Sequence, residues 1–403
     1  MISNFITIYK RLLQHTTYKH HRYIYNDFNI NNRLTGLIGP RGTGKTTLLL
    51  QYIKEKISDV DECIYASIDN IYFTQNTLLE FINVLYDEYG VRYFFLDEIH
   101  KYPNWNQELK NLYDSFPDIK IIFSGSSSID LIKGTYDLSR RGVIYRIGGL
   151  SFREYLLFND IADTGTISLN DLIINKFQFE TQIAEITKLK GYFKKYLGNG
   201  YYPFAMEGLD SYSQKIQRII DKTIFEDISN HYKLKTENLA NFKRILAYMA
   251  TIPPGELNRN SISKNIGLDN KTIQNYLEIL QETGLITLLA MNKAGSNILK
   301  QTEKIYLDNP DIYNSISNEI GFESQIGTIR EIFFINMIKN SKNNIHVSKI
   351  GDFEIDGNIF EIGGKNKDRK QIKENLDSGY IVKDDILHGS KYEIPLHLFG
   401  FLY

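Results

Sequence analysis

Apolar residues recur along this chain with two spacings. Short, nearly continuous apolar runs cover residues 34–38, 63–68, 91–96, 119–123 and 143–147, and runs of that length bounded by turn formers predict buried strands. Residues 78–89 carry their apolar positions at helical spacing, and 48–53 continue with helical character. Strands alternating with helices predict a mainly parallel, doubly wound α/β sheet that binds ligands at its strand C-termini.

Beyond this region the pattern changes. Residues 159–171 (NDIADTGTISLND) are short of large apolar side chains and rich in turn formers, which predicts a boundary. Helical patterns follow over 172–197 and 213–233, broken at Gly198-Asn199-Gly200 and Tyr202-Pro203. Residues 242–250, 261–266 and 270–282 read as three helices and 284–290 as a strand, the order of a winged helix, and 304–311 reads as a strand and turn. The last part offers a largely buried helix over 326–338 and short strands over 345–347, 353–356 and 359–362. Gly357-Asn358 is a candidate hairpin turn, 370–376 a further helix, and 394–403 a buried strand or packing tail. The expected organisation is an α/β domain over 1–160, a helical and winged-helix domain over 161–305, and a small α/β domain over 306–403.

Composition narrows this picture. With 403 residues, 42% of them apolar, the chain can bury two or three cores. Its 47 basic and 48 acidic residues leave a net charge of −1, so any contact with nucleic acid must come from a local patch. Cys63 is the only cysteine, which excludes an internal disulfide framework and a multi-cysteine zinc cage. No apolar run approaches the roughly 18 residues of a membrane span, and the N-terminus lacks the apolar core of a signal peptide. A cytoplasmic location without a membrane partner is expected.

The first strand runs into Gly39-Pro40-Arg41-Gly42-Thr43-Gly44-Lys45-Thr46-Thr47 and then a helix. Strand, glycine loop and helix in this spacing form a phosphate loop, in which backbone N–H groups wrap phosphate at a helix N-terminus. Gly39 and Gly44 give the backbone close approach and positive φ. Lys45 would set an ammonium on the β- and γ-phosphates, and the Thr46 hydroxyl would ligate magnesium. The run 91–96 ends in Asp97-Glu98; Asp97 would hold magnesium and Glu98 would polarise the attacking water as general base. After 119–123 comes Ser124-Gly125-Ser126-Ser127-Ser128. A hydroxyl here would contact the γ-phosphate or the lytic water, or the segment is a serine turn capping a helix at 129–133.

GPRGTGKTT, YFFLDEIHKYPNW, IIFSGSSS and GGLSFREYLLF, in this order, resemble the bacterial and archaeal AAA+ ATPases that carry a C-terminal domain of unknown function. The resemblance spans essentially the whole chain. It implies ATP as the nucleotide, Ser124 as a sensor, and Arg140 or Arg141, before the fifth strand, as an arginine finger completing a neighbour's site in a homo-oligomer. The alternative for that pair is a solvated or Glu-paired loop. Arg153 and Glu154 are expected to hold the start of the next helix, and no second sensor arginine stands out.

In the winged helix, Asn270, Lys271, Thr272, Gln274 and Asn275 open the recognition helix and suit phosphates or base edges of DNA. The wing, 291–300, carries only Lys293 and Lys300, so a protein-binding module is the competing reading. The last domain resembles the restriction-endonuclease-like core, which implies Glu331, Asp352 or Asp356, and Glu361 around a metal. That core places a Lys two residues after the Glu to stabilise hydroxide. Here that residue is Gly363, and Lys365 lies about 6 to 7 Å further along the strand unless a bulge at Gly363-Gly364 shortens the gap. This departure favours a nuclease fold that has lost catalysis and serves as a docking module. Gln371 fits a nucleic-acid-facing position, Lys365, Lys367, Arg369, Lys370 and Lys373 form either an anion site or a solvated face, and His397 reads as a core residue. The expected function is magnesium-dependent ATP hydrolysis driving conformational change in attached DNA-binding and nuclease-like domains. The alternatives are a nucleotide-gated switch acting through a protein partner and an active metal-dependent DNA nuclease.

Overall fold

The computed structural model describes residues 2–17, 19–126, 140–232, 234–254, 258–291, 303–370 and 378–403. The chain forms two compact units, Met1–Gly148 and Gly149–Tyr403, and the divisions expected near 160 and 305 both fall inside the second. Among the described residues no helix is long and apolar enough to cross a membrane.

The first unit is built on five parallel strands, β1 (Leu34–Ile38), β2 (Cys63–Ser67), β3 (Tyr93–Asp97), β4 (Lys120–Gly125) and β5 (Gly142–Arg146), in the order β2-β3-β4-β1-β5. The predicted strands are all present, with β3 and β4 shifted so that Asp97 and Ser124 lie inside their strands. Because β1 is followed by the far-edge strand β2 while β4 is followed by β5 on the other side, the chain diverges beside β1, where a doubly wound sheet opens a crevice. Helices α2 (Lys45–Lys56), α3 (Leu78–Tyr89) and α4 (Trp105–Ser115) connect the strands. Helix α3 starts at a capping box of Thr77 and Glu80 and stops at Gly90, whose φ of 70° ends the helix. The segment 2–15, for which the sequence reading offered no element, forms α1 (Ile2–His15) and buries Phe5, Tyr9 and Leu13 at a spacing of four. The predicted helix at 129–133 lies outside the described residues.

In the second unit the single helical stretch expected over 172–197 is three helices, which with α5 (Phe152–Phe158) before them are α6 (Leu169–Ile174), α7 (Lys176–Ala184) and α8 (Leu189–Asn199). The breaks carry no Gly or Pro; Asn175 leaves helical geometry and Lys188 turns left-handed at φ 61°. Helix α9 (Tyr212–Lys222) runs on through a π-helical turn, Thr223–Ile228. Helices α10 (Thr236–Thr251), α11 (Arg259–Ile266) and α12 (Asn270–Glu282) precede an antiparallel pair, β6 (Ile286–Ala290) and β7 (Glu303–Leu307). The expected wing, apart from Met291, lies outside the described residues.

Helix α13 (Pro310–Glu319) begins at an Asn309 cap with Pro310 in its first turn. Helix α14 (Ile326–Asn340) is apolar almost all round and therefore buried. Its Phe334 meets Phe353, Phe360 and Phe399 at ring distances of 5.5, 5.5 and 4.7 Å. It packs on a mixed sheet of β8 (His346–Val347), β9 (Phe353–Ile355), β10 (Asn358–Gly363), β11 (Gly379–Lys383) and β12 (Glu393–Pro395), ordered β12-β11-β10-β9-β8. The β9–β10 turn is Asp356-Gly357, both at positive φ (49° and 79°), one residue earlier than expected and of the type that matches strand twist. The closing run forms β12 and a buried 3-10 turn, Leu396–Phe401, that includes His397.

Asp311 is 1% exposed; its Oδ2 accepts from the Tyr201 N–H at 2.9 Å and from the Tyr212 hydroxyl. Burial pushes its carboxyl up to about 7. The native state then keeps a proton that the unfolded chain releases above about pH 4, so this contribution to stability falls as pH rises from about 4 to 7 and is level beyond. Asp311→Asn, which keeps an acceptor without a charge, should flatten that slope by on the order of 2 kcal/mol in urea midpoints measured from pH 5 to 8. Identical pH profiles for the two proteins would contradict this assignment.

Candidate functional site

The phosphate loop leaves the C-terminal end of β1, and each glycine does a different job. Gly42 and Gly44 have φ of 78° and 88°, which costs an L side chain but not glycine. Gly39 is required by space, since a Cβ there would lie 2.1 Å from the carbonyl oxygen of Ile147. The loop is also braced from outside. Arg22, 5% exposed, donates to the Thr43 carbonyl and, at 2.8 Å, to the Gly148 carbonyl, while the Thr43 hydroxyl donates to the Pro40 carbonyl at 2.8 Å. The Lys45 ammonium donates to the carbonyls of Gly39 and Pro40, both at 2.9 Å. Thr46 and Thr47 lie in the first turn of α2.

Asp97, 2% exposed at the end of β3, is the centre of the site. Its Oδ2 accepts from the Thr46 hydroxyl at 2.5 Å and from the Tyr65 hydroxyl at 2.6 Å. Its Oδ1 accepts from the Ser124 hydroxyl and from the Glu98 N–H at 3.1 Å, and that N–H also reaches the Ser124 oxygen at 3.2 Å. Burial, with the Asp97 carboxylate beside it, pushes the Tyr65 phenol up, so it remains a donor. Glu98 is left-handed, φ 57° and ψ 37°, a strained geometry for a non-glycine residue. Its Oε2 is 3.7 Å from Arg41 Nη1 and 3.6 Å from His100 Nε2. A threonine hydroxyl and a carboxylate oxygen 2.5 Å apart beside a phosphate loop are the hard oxygen donors that magnesium takes, so these residues fit the ion and a phosphate chain together.

Lys45, Thr46, Asp97, Glu98 and Ser124 therefore come together, and Arg140 and Arg141 do not. Parallel register sets Leu34 against Gly142 and Ile38 against Arg146. The arginine pair precedes Gly142, at the opposite end of β1 from the loop, about 13 Å away by strand rise. Arg141 faces Asp114 at 3.4 Å, and Arg140 is exposed. The sequence pattern assigns no separate role to Tyr65, Arg22 or His100. Tyr65 looks like one more core aromatic of β2, and no local signal marks Arg22. His100 lies two residues after Glu98 and was visible only as part of the motif.

In the second unit, Glu331 on α14 accepts from the Tyr306 hydroxyl at 2.7 Å, and burial, with Asp352 near it, pushes it up to about 7. Asp352 accepts the Ile362 N–H at 2.8 Å and lies 4.0 Å from the Lys304 ammonium. Glu361, 2% exposed within β10, is raised by burial and then by Asp352. Asp356, by contrast, is exposed in the hairpin turn, so of the two aspartates Asp352 is the one beside Glu361. Lys365 is exposed as well, and the ammonium that meets Glu361 belongs to Lys367. Bare Gly363 allows this, since a Cβ there would lie 2.6 Å from Lys367 Cγ. Among the described residues no group of three or more His, Cys, Asp or Glu is arranged to hold a metal ion. Gln371 and Lys373 lie outside the described residues.

At the start of α12, Asn270, Lys271, Gln274 and Asn275 are exposed and Thr272 is half-buried. Asp269 caps the helix, accepting from the N–H groups of Lys271 and Thr272 at 2.9 and 3.0 Å and from the Thr272 hydroxyl at 2.6 Å. The Thr272 hydroxyl bond, followed by these amides, holds its carboxyl below the usual range. A carboxylate thus already occupies amides that would otherwise greet a phosphate. Gln274 is engaged by Arg259 at 3.0 Å and Glu278 at 2.9 Å.

Residues 31–156 match the model of the AAA domain family, and residues 190–322 match a domain of unknown function, DUF8612. The AAA-domain match covers the segment that holds the phosphate loop, Asp97, Glu98 and Ser124, and supports ATP binding and hydrolysis in general terms. No curated protein matches the sequence. Among solved structures the chain aligns with the replication initiator DnaA bound to AMPPCP and single-stranded DNA, at 17% identity over 70% of this chain and 91% of that one, TM-score 0.31. It aligns with a point variant of RuvB from Thermotoga maritima at 14% identity over 80% and 95%, TM-score 0.30. It also aligns with the S. cerevisiae Hsp104–ADP complex at 15% identity over 70% and 39%, TM-score 0.29.

Gly39→Ala should weaken nucleotide binding by on the order of tenfold or more in a calorimetric titration, because the loop must move off the Ile147 carbonyl. Unchanged affinity would show that the approach at Gly39 does not shape the loop.

Proposed function

We propose that this protein is a magnesium-dependent ATPase whose turnover drives conformational change in its DNA-binding and nuclease-like domains. The observation that carries the reading is the convergence of Thr46, Ser124 and Glu98 on Asp97 at the mouth of the phosphate loop. Lys45 would leave the loop carbonyls for the β- and γ-phosphates. Thr46 and Asp97 would hold the magnesium ion, which when bound neutralises charge developing on the phosphates. Glu98 takes the proton of the attacking water, and Ser124 reports the γ-phosphate. Since Arg140 lies at the far end of its own sheet, it would serve as a finger only for a second copy, in a homo-oligomer.

Three helices followed by an antiparallel pair support a winged helix over α10–β7, with Asn270, Lys271 and Asn275 facing DNA. Because the Asp269 cap already fills the first amides of α12, contact with DNA would come through these exposed side chains rather than through the helix N-terminus. Helix α14 on a mixed sheet with Glu331, Asp352, Glu361 and Lys367 supports the endonuclease-like reading of the last segment. Lys367 already bound to Glu361 favours a docking role over cleavage.

Lys45→Ala is expected to lose nucleotide binding by about 100-fold or more, and Glu98→Gln to bind ATP normally while turnover falls by about 100-fold or more. Normal turnover by Glu98→Gln would remove that residue from the base role. Duplex DNA at low salt should stimulate turnover; neither binding nor stimulation would assign α11 and α12 to a protein partner. Plasmid should stay uncut in magnesium with ATP or ADP, and cleavage abolished by Glu361→Ala would establish the nuclease instead.

A further inference from the structure

The roles above leave one group at the ATPase site without a task. His100 lies on the 3-10 turn Ile99–Lys101, its side chain 4% exposed. Its Nδ1 accepts the Ser126 N–H at 3.4 Å, so the ring proton sits on Nε2, the nitrogen 3.6 Å from Glu98 Oε2. We propose that His100 is a positioning residue for Glu98, holding its carboxylate where it can take a proton from the attacking water. The inference rests on the ATPase reading of this site.

Glu98 is held at its amide by the ends of β3 and β4, and its carboxylate faces a ring oriented from just beyond β4. Its N–H is held by Ser124 and Asp97, at 3.2 and 3.1 Å, and its carboxylate faces His100, which Ser126 orients. At φ 57° the backbone already turns Glu98 out of strand geometry, so the remaining freedom lies in the side chain, where His100 acts. The second neighbour of Oε2, Arg41 at 3.7 Å, belongs to the phosphate loop. A guanidinium there is drawn to phosphate when nucleotide binds, whereas His100 is anchored to protein backbone and stays. The two also differ in chemistry. Arg41 presents a forked guanidinium suited to phosphate, while the imidazole offers the carboxylate a single N–H donor from a ring fixed on the other side. A contact of 3.6 Å is too long for a hydrogen bond, and distances of this kind commonly shorten in the substrate complex.

The test has two arms on the full chain. In protein carrying 15N-labelled histidine, with the His100 resonances identified by their loss in His100→Gln, Nε2 should be the protonated nitrogen and should shift in Glu98→Gln. An unshifted resonance overturns the contact whether or not ATP is hydrolysed. In steady-state kinetics His100→Ala should lower kcat about 10- to 100-fold while ATP affinity stays within about twofold. His100→Gln, whose side-chain amide can donate to the same carboxylate, should recover at least about fivefold of that loss. Wild-type kcat in His100→Ala, or no recovery in His100→Gln, overturns the positioning role. A wild-type chain that binds ATP without turnover overturns the ATPase reading and the role with it, while the resonance arm still reports the contact.

Discussion

A buried carboxylate with four donors around it governs the first unit. An ionised group at 2% exposure costs several kcal/mol unless its oxygens are satisfied, and Asp97 has a threonine from α2, a tyrosine from β2, a serine from β4 and the next residue's amide. Those partners come from separate segments, so the carboxylate is tolerated only with β2, β3 and β4 side by side and α2 starting beside β3. The strand order β2-β3-β4-β1 supplies that arrangement. Strand alternation explains the Tyr65 contact: Tyr65 shares a face with Ser67, which pairs with Asp97.

The same region holds its backbone in conformations that depend on the sheet. Gly39 must pass close to Ile147, and Gly44 starts α2 from a left-handed φ of 88°. Glu98 takes a left-handed turn without being glycine, immediately after the strand that carries Asp97. Strain of this kind persists where the surroundings over-determine it, and here the Glu98 amide is held by two oxygens. Arg22 adds a brace from outside the motif, linking the loop carbonyl of Thr43 to Gly148 at the end of the unit.

The second unit shows how one missing side chain redirects another. With no Cβ at Gly363, the Lys367 stem packs against that residue and its ammonium meets buried Glu361. The fold thereby pairs a carboxylate that would be costly to leave alone. Two positive-φ residues, Asp356 and Gly357, turn β9 into β10, which leaves Asp356 exposed at the tip and Asp352 near Glu361.

Much of this was legible in the chain itself. Apolar runs of strand length, a glycine loop opening a helix, and a carboxylate pair closing a strand are local patterns, because each follows from backbone sterics and burial within a few residues. They determined the α/β character of the first 148 residues and helices α3 and α12 to the residue, and they singled out Lys45, Thr46, Asp97 and Glu98, while Ser124 came from the family resemblance. What only the tertiary structure decided involves partners far apart in sequence: Tyr65 on Asp97, Arg22 under the loop, the arginine pair at the opposite end of the sheet, and Lys367 rather than Lys365 on Glu361. Strand order and register carry those relations, and neither is written in the spacing of residues along a single segment.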